Sequence, residues 1–225
     1  DQRPVRIAAY AHDGVLVSVD DKGSPESMIY IELERADARE RRDLIAALER
    51  NLADVRAAVG DWQALQDAMA ADIATLPAGE GAALLFWLLD QKFTLLGHEL
   101  WIGRSETALG IARNPRAVPI LAEASRTLAM EWFAKGGQAP LLLKSNLISG
   151  VHRHVPLDLA VVPVRDKDQI VGLSIHAGLW TSSALNAAPQ DVPVLRERLA
   201  ALEAKFGFDP KGHTGKALTH ALAGL

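Results

Sequence analysis

The sequence predicts an α+β protein: a small α/β unit, a helical connector, and then an α/β sandwich built on an antiparallel sheet. Residues 141–186 indicate the sheet, because they contain three successive strand-like runs. The last run, residues 170–180, alternates between apolar and other side chains, which is typical of a half-buried strand. The charged turn at residues 166–168 predicts that the last two strands pair as a hairpin. Helical spacing before and after this stretch predicts helices that could cover the sheet.

The composition limits the classes of protein to which the chain can belong. The 225 residues, 49% of them hydrophobic, are enough for one large domain or two small ones. A net charge of −4 argues against a nucleic-acid partner, and no apolar run approaches the ~18 residues of a membrane-spanning helix. The absence of cysteine excludes disulfides and thiolate metal sites and is compatible with a cytoplasmic location. Because the sequence begins at Asp1 rather than at an initiator Met, we expect a segment of a longer polypeptide.

Residues 1–60 are predicted to form the small α/β unit. Two short strand-like runs precede a third predicted strand at residues 28–33. Asp37 and Glu40 have the spacing of a capping box, which predicts the start of a helix. That helix carries one apolar stripe, formed by Leu44, Leu48, Leu52, Val55 and Val59. Residues 61–78 are the predicted connector helix.

Residues 79–206 are predicted to form the α/β sandwich. The predicted elements are, in order, an apolar helix at residues 80–90, strands at 93–102 and 109–112, a helix at 121–133, the three strands of the sheet, and a last helix capped by Asp191. This order of elements is that of PAS- and GAF-type sensor domains, although a fold alone does not give a function. Residues 207–225 are predicted to be a tail that leads to a next domain, with a turn at 208–210 and a short helix at 213–223.

Two histidines could bind a metal ion. His152 and His154 lie two positions apart, so that on a strand they would share a face. A third ligand would have to come from His98, His176 or Asp158. Histidine pairs without a fixed third ligand are common by chance, so we interpret the pair as surface polar residues and predict no metal ligands.

Polar residues gather at the predicted ends of the three strands. If neighbouring strands run antiparallel, the end of the first, the start of the second and the end of the third lie at the same edge of the sheet. Side chains that converge there from separate loops are typical of a ligand or partner site. The sequence therefore predicts a candidate ligand-binding or docking surface, the strand-end surface, which comprises Lys144, Asn146, His152, Arg153, Thr181 and Asn186. The alternative, polar strand ends without a binding role, stays open because strand ends are polar in most proteins.

The sequence lacks the motifs of common catalytic and nucleotide-binding sites. It contains no G-x-G-x-x-G, no Walker pattern and no G-x-S-x-G elbow. We therefore predict that this chain has no catalytic and no cofactor-binding residues. Arg153 and Asp158, which border the central strands, are predicted to be structural, because a charged group beside an apolar sheet needs a partner.

Several short motifs resemble those of one enzyme family. FWLLDQKFTLLGH at residues 86–98 is similar to the RWL–D–FTFLGY segment of the large bacterial NAD-specific glutamate dehydrogenases. Further motifs follow in the same order as in that family: KSN at 144–146, VHR at 151–153, PLD at 156–158, GLWTS at 178–182, PQDVP at 189–193, GFDP at 207–210 and HTGKAL at 213–218. The resemblance covers residues 80–225, and the first segment resembles the N-terminal region of the family, where ACT-like domains sit. In two departures, His98 stands where the family usually has Tyr, and residues 173–177 lack the arginines of the family's corresponding strand.

The resemblance implies that the chain comes from the N-terminal, regulatory part of a long polypeptide, with ACT-like and PAS-like domains. The family oxidises L-glutamate to 2-oxoglutarate and ammonia with NAD, and its catalytic domain would lie C-terminal to this chain. The resemblance thus implies NAD as a cofactor of the parent enzyme and none in this segment. The implied partners are the rest of the polypeptide, further copies in a homo-oligomer and a small-molecule effector, with no nucleic acid and no membrane.

Because the family is oligomeric, docking is slightly favoured over a metabolite pocket at the strand-end surface. Two alternatives to a regulatory segment stay open. One is a free-standing PAS- or ACT-type small-molecule sensor. The other is a metal-dependent enzyme that uses His152 and His154.

Overall fold

The computed structural model describes residues 4–10, 16–19, 24–27, 30–103, 105–115, 118–167, 169–206 and 211–222. The chain divides into two compact units, Asp1–Ala46 and Ala47–Leu225. The predicted α+β class is confirmed, because helices and antiparallel sheets are both present. The predicted domain limits at residues 60, 78 and 206, and the ACT-like and PAS-like assignments, stay predictions.

The first unit contains a three-stranded antiparallel sheet. Its strands are β1 (Pro4–Tyr10), β2 (Leu16–Val19) and β3 (Ser24–Ser27), in the order β2-β1-β3. The prediction of a strand at residues 28–33 is wrong over residues 30–33, which lie outside any strand, while residues 28 and 29 fall outside the described part. β1 pairs with the preceding segment instead, and Tyr30, Ile31 and Leu33 are exposed. Alternation of side chains did not identify a strand at residues 30–33, where the apolar side chains are exposed and not packed on a sheet face.

Helix α1 (Ala38–Gly60) begins with the predicted capping box. The Asp37 carboxylate accepts the backbone amide hydrogens of Arg39 and Glu40, with nitrogen–oxygen distances of 2.7 and 2.9 Å. The Glu40 carboxylate in turn accepts the amide hydrogen of Asp37 at 2.9 Å. Three otherwise unpaired backbone donors are thereby satisfied, two of them by the reciprocal pair Asp37 and Glu40, which fixes the helix start.

The apolar stripe of α1 is exposed rather than buried. Its members Leu44, Leu48, Leu52, Val55 and Val59 are 38–66% exposed. The buried residues of this helix are Asp54, Ala57 and Ala58. Ala58 packs with Leu96 and Leu157, because its small side chain allows the helix backbone to approach the sheet closely.

The second unit is built on a five-stranded antiparallel sheet. Helices α2 (Trp62–Thr75) and α3 (Glu80–Trp87) and a π-helical turn (Leu88–Lys92) lead into it, and helix α4 (Glu123–Ala134) lies between its second and third strands in the chain. The strands are β4 (Phe93–Trp101), β5 (Ser105–Gly110), β6 (Leu141–Ile148), β7 (Pro156–Asp166) and β8 (Gln169–Trp180), in the order β5-β4-β8-β7-β6. The predicted hairpin is confirmed, because β7 and β8 pair as far as Asp166 and Gln169.

Both faces of β8 are covered, so the prediction of a half-buried strand is wrong. On one face, Ile175 packs in the same cluster as Phe133 of α4. On the other face, Ser174 and His176 are 1% and 0% exposed, and they contact Asp72 of α2. A strand at the centre of the sheet, with a helical layer on each side, has both of its faces in the interior, and its polar positions are buried with the rest.

Contacts with a distant residue, Glu80, mark the start of helix α6. A short helix α5 (Ser182–Leu185) follows β8, and α6 (Leu195–Phe206) starts beyond the predicted cap, Asp191, which lies in a 3-10 turn. The amide hydrogen of Val194 is accepted instead by the Glu80 carboxylate of α3 at 2.8 Å, and Arg196 binds the same carboxylate through two of its nitrogens. These hydrogen bonds lower the pKa of Glu80, and the one from Arg196 has the largest effect.

The helix predicted at residues 213–223 is present as α7 (His213–Leu222). The turn predicted at residues 208–210 lies outside the described residues. Within the described part of the chain, none of the helices has the length and apolar character needed to cross a membrane.

We expect Gly178→Ala to destabilise the second unit. Gly178 lies in β8 between its partners on β4 and β7, and an added Cβ would overlap the Thr94 carbonyl oxygen and lie 2.6 Å from the Phe93 ring. The backbone of a central strand cannot move aside, so the loss should be about 1–3 kcal/mol in denaturant unfolding. The matched control is Gly60→Ala, where no atom lies within 4 Å, and this variant should be neutral or slightly stabilising. Equal stabilities for the two variants would contradict the packing of β8.

Candidate functional site

The strand-end surface contains an ion pair at the edge of the sheet. Lys144 of β6 lies opposite Asp158 of β7, which lies opposite Gly178 of β8. The Lys144 ammonium is 2.6 Å from Asp158 Oδ1, and the Asp158 side chain is only 8% exposed. Asp158 therefore has the partner that the sequence predicted, and its structural role stays a prediction. Leaving such a buried carboxylate without its partner costs about 1–3 kcal/mol.

Arg153 and Thr181 are held at the end of β8. The Arg153 guanidinium donates through Nη2 to the carbonyl oxygen of Trp180, the last residue of β8. The Thr181 hydroxyl contacts the carbonyl oxygen of Gln91 at 3.1 Å and accepts the amide hydrogen of Ala184, so Thr181 caps α5. These contacts bring the loop before β7 and the turn after β8 to the same sheet edge, as the sequence predicted.

The remaining three residues of the strand-end surface are exposed. Asn146 lies on β6, His152 adopts a left-handed backbone conformation with φ of 67°, and Asn186 donates through Nδ2 to the Ser182 carbonyl oxygen at 2.8 Å. The structure thus ties Lys144 and Arg153 into the sheet edge, and the exposed three are available to a binding partner. That the six act together as a binding surface stays a prediction.

The histidine pair does not have the geometry that the spacing predicted. His152 and His154 are exposed and lie in the bends before β7, not on a strand, so they do not share a strand face. Among the described residues, the group of three side chains that could hold a metal ion lies elsewhere, at Asp72, His98 and His176. The sequence singled out the two interior histidines one at a time and missed Asp72.

Three elements bring this second site together. Asp72 lies on α2, His98 on β4, and Ser174 and His176 on β8. Register places His98 directly opposite His176 across the pair of strands, and the two rings stack with centroids 4.7 Å apart. We call these four residues the buried polar cluster. A carboxylate at the position of Asp72, on the same helical face as the buried Leu65 and Met69, was the available sequence signal.

Ser174 lies at the centre of the buried polar cluster. Its hydroxyl donates to Asp72 Oδ2 at 2.5 Å and lies 2.9 Å from His98 Nε2. His176 Nε2 is 2.6 Å from the same Asp72 oxygen. The consistent proton arrangement has both rings protonated at Nε2: His176 donates to the carboxylate, and His98 donates to the serine oxygen.

Burial keeps His98 neutral. Desolvation lowers the pKa of His98 to about 4; the nearby His176 lowers it further, and Asp72 opposes the shift. The Nδ1 atoms of both rings are buried without a hydrogen-bond partner among the described residues. A neutral imidazole has one unprotonated ring nitrogen, so with Nε2 of His98 protonated its Nδ1 atom carries a lone pair rather than an unpaired N–H group.

Two concave regions adjoin these sites. Asp72 lines a cleft of about 420 Å³ together with Thr75, Pro77, Gln138 and Arg165. An apolar groove of about 650 Å³ lies beside the end of β8 and is lined by residues that include Trp87, Trp132, Leu141, Trp180, Leu185 and Leu195. The first region exposes one member of the buried polar cluster, Asp72, and the second lies next to Asn186 of the strand-end surface.

Comparison with known proteins shows that the chain is similar in sequence to one enzyme family. A family profile described as "Glutamate dehydrogenase, helical motif 1" matches residues 192–225. The NAD-specific glutamate dehydrogenase of Halomonas elongata is 30% identical over 224 residues, and that of Pseudomonas aeruginosa is 32% identical over 227 residues. Each alignment covers 88% of this chain, and the chain spans only 14% of the length of each relative. The resemblance inferred from the short motifs is confirmed.

We expect the buried His98 to make folding stability depend on pH. Because the pKa of His98 is about 4 in the folded chain and about 6.5 when unfolded, the unfolded chain binds more protons between these values. Stability is therefore unaffected by this group above about pH 6.5 and falls by about 3 kcal/mol as the pH drops toward 4. Denaturant unfolding of the wild type and of His98→Gln across this range measures the effect.

The glutamine variant is the matched comparison, since its amide can still donate to Ser174 but does not titrate. Its stability should fall less steeply with acid than that of the wild type. Identical pH profiles would show that His98 titrates normally and is not desolvated.

Proposed function

We propose, on the premise of this similarity to the NAD-specific glutamate dehydrogenases, that the chain is a non-catalytic regulatory and assembly segment of such an enzyme. In this proposal the parent polypeptide oxidises L-glutamate to 2-oxoglutarate and ammonia with NAD in the cytoplasm. The segment itself binds no NAD. It docks on other parts of the same polypeptide or on neighbouring copies and responds to a small-molecule effector.

The observation that supports the proposal is the fraction of each protein's length that the alignments cover. Nearly all of this chain is related to the two dehydrogenases, yet it corresponds to about a seventh of their length. A segment of that size leaves room for a separate catalytic domain elsewhere in the polypeptide. The relatives' names describe their whole chains, so the activity of the parent is part of the proposal.

The sheet of the second unit supports a non-catalytic role. Dinucleotide-binding folds use parallel strands, with the phosphates held at a glycine-rich turn between a strand and a helix. Here all pairings among β4–β8 are antiparallel, and the sequence has no G-x-G-x-x-G. NAD would therefore have to bind elsewhere in the parent.

The strand-end surface and the apolar groove support docking. The exposed Asn186 lies between Leu185 and Ala187, which line a groove that also contains Trp87, Trp132 and Trp180. Aromatic side chains with a polar rim are typical of protein interfaces. Because most of the relatives' length lies outside this chain, we assign the groove to another segment of the same polypeptide.

The size of the groove also favours a second candidate function, that of a small-molecule sensor. Its volume of about 650 Å³ falls in the range of ligand pockets, roughly 300–1,000 Å³. An effector could enter this groove and compete with the docked segment. A free-standing sensor would use the same groove without any dehydrogenase partner.

The isolated chain should show no glutamate dehydrogenase activity. Purified chain, incubated with glutamate and NAD, is expected to form no NADH, because it offers neither a dinucleotide-binding fold nor a matching glycine motif. The parallel measurement on the full-length enzyme, in the same buffer, is the positive control. NADH formation that follows the chain through chromatography would contradict the non-catalytic assignment.

Alanine substitutions at Asn146, His152 and Asn186 in the full-length enzyme should alter assembly or effector response. These side chains are exposed, so the folded structure of the segment should be kept while its docking contacts are lost. The readouts are oligomeric state by light scattering and the dependence of activity on candidate amino-acid effectors.

The matched control is Lys135→Ala, which removes a 79% exposed side chain directly after α4. It should leave both readouts unchanged. If the triple variant also keeps wild-type assembly and effector response, the strand-end surface is not a docking site.

A further inference from the structure

We propose that the buried polar cluster is a binding site for a divalent transition-metal ion of the zinc class. The ligands would be Nε2 of His98, Nε2 of His176 and Oδ2 of Asp72. The Ser174 hydroxyl lies among them as a weak fourth oxygen that a water molecule can replace. This inference is independent of the proposed regulatory function.

The donor set suits such an ion. Two imidazole nitrogens and one carboxylate oxygen are a common ligand combination for zinc, cobalt, nickel and iron, whereas calcium and magnesium prefer oxygen donors alone. The three donor atoms lie within 4.8 Å of one another. Neighbouring donors in a tetrahedral zinc site stand roughly 3.3 Å apart, given metal–ligand bonds of ~2.0–2.1 Å. The Asp72 oxygen and His176 Nε2, now 2.6 Å apart, would need to separate only slightly.

The scaffold fixes two of the ligands and leaves the third adjustable. His98 and His176 are 6% and 0% exposed on paired central strands, so their ring positions are set by the register of the sheet. The Asp72 side chain lies on a helix and is 19% exposed, so it can rotate to accommodate an ion. The cleft that Asp72 lines provides the route by which an ion reaches the cluster.

Binding exchanges the hydrogen bonds of the buried polar cluster for metal–ligand bonds. Each imidazole must present an unprotonated Nε2, so its proton moves to Nδ1. Neither Nδ1 atom has an acceptor among the described residues, and metal sites that lack this supporting hydrogen bond lose roughly 10- to 100-fold in affinity. The ion should therefore be exchangeable, as in a sensing site, rather than permanently held.

The test uses the full chain without an affinity tag, freed of metal with a chelator and titrated with Zn²⁺ alone by calorimetry. We expect one ion per chain. Asp72→Asn keeps the size of the side chain and should weaken binding at least tenfold. Titration with Co²⁺ should give the intense visible absorption of a tetrahedral site in the wild type and not in the variant.

Two further variants make the result decisive. His98→Gln retains a donor to Ser174 but removes a ligand, so it should also weaken binding, and it serves if Asp72→Asn does not fold. A variant with both exposed histidines changed, His152→Ala with His154→Ala, should bind as the wild type does. The proposal is overturned if no ion binds, or if binding is lost in the exposed-histidine variant and kept in Asp72→Asn and His98→Gln.

Discussion

The pairing of β8 with β4 on one side and with β7 on the other is the constraint on which the second unit depends. These two ladders run from Phe93 to Trp101 and from Asp158 to Asp166, and they hold β8 at the centre of the sheet. Central position brings a helical layer onto each face, so every side chain from Leu173 to Leu179 is buried. The glycines of this strand then become necessary, because any Cβ at Gly178 would meet the backbone of β4.

The buried polar residues of the central strand β8 need hydrogen-bond partners, and helix α2 supplies one. Ser174 and His176 would lose their hydrogen bonds to water without compensation, at a cost of about 1–3 kcal/mol for each unsatisfied group. Asp72 accepts a hydrogen bond from both, and this carboxylate therefore fixes the position of α2 along the sheet. The same arrangement concentrates two imidazoles and a carboxylate in one buried place, which is the chemistry of a cation site.

The features of this chain suit the docking that we propose rather than the catalysis of the proposed parent enzyme. All pairings among β4–β8 are antiparallel, whereas dinucleotide-binding folds use parallel strands. The KSN, PLD and GLWTS motifs lie in or directly after strands β6, β7 and β8. Lys144 and Arg153 contact Asp158 and the Trp180 carbonyl group at this edge of the sheet, and the Lys144 side chain is still 63% exposed. The exposed neighbours and the apolar groove are the parts left for recognition, and they form the surface that the proposed docking function uses.

The sequence by itself determined the features that depend on neighbours a few positions apart. The capping box at Asp37 and Glu40, the β7–β8 hairpin and the helix α7 were all predicted, because each follows from contacts or spacing within one element or between two consecutive ones. The order of short motifs also determined the family resemblance. Only the tertiary structure decided which surfaces are buried: the apolar stripe of α1 is exposed, and both faces of β8 are covered.

Only the tertiary structure, too, decided which distant groups meet. Asp72 and His176 are 104 positions apart, and Glu80 caps a helix 114 positions away. No local spacing rule relates residues at such separations, because their meeting depends on strand order and on how the helices lie across the sheet. Periodicity reports the direction in which a side chain points; the fold alone determines what lies there.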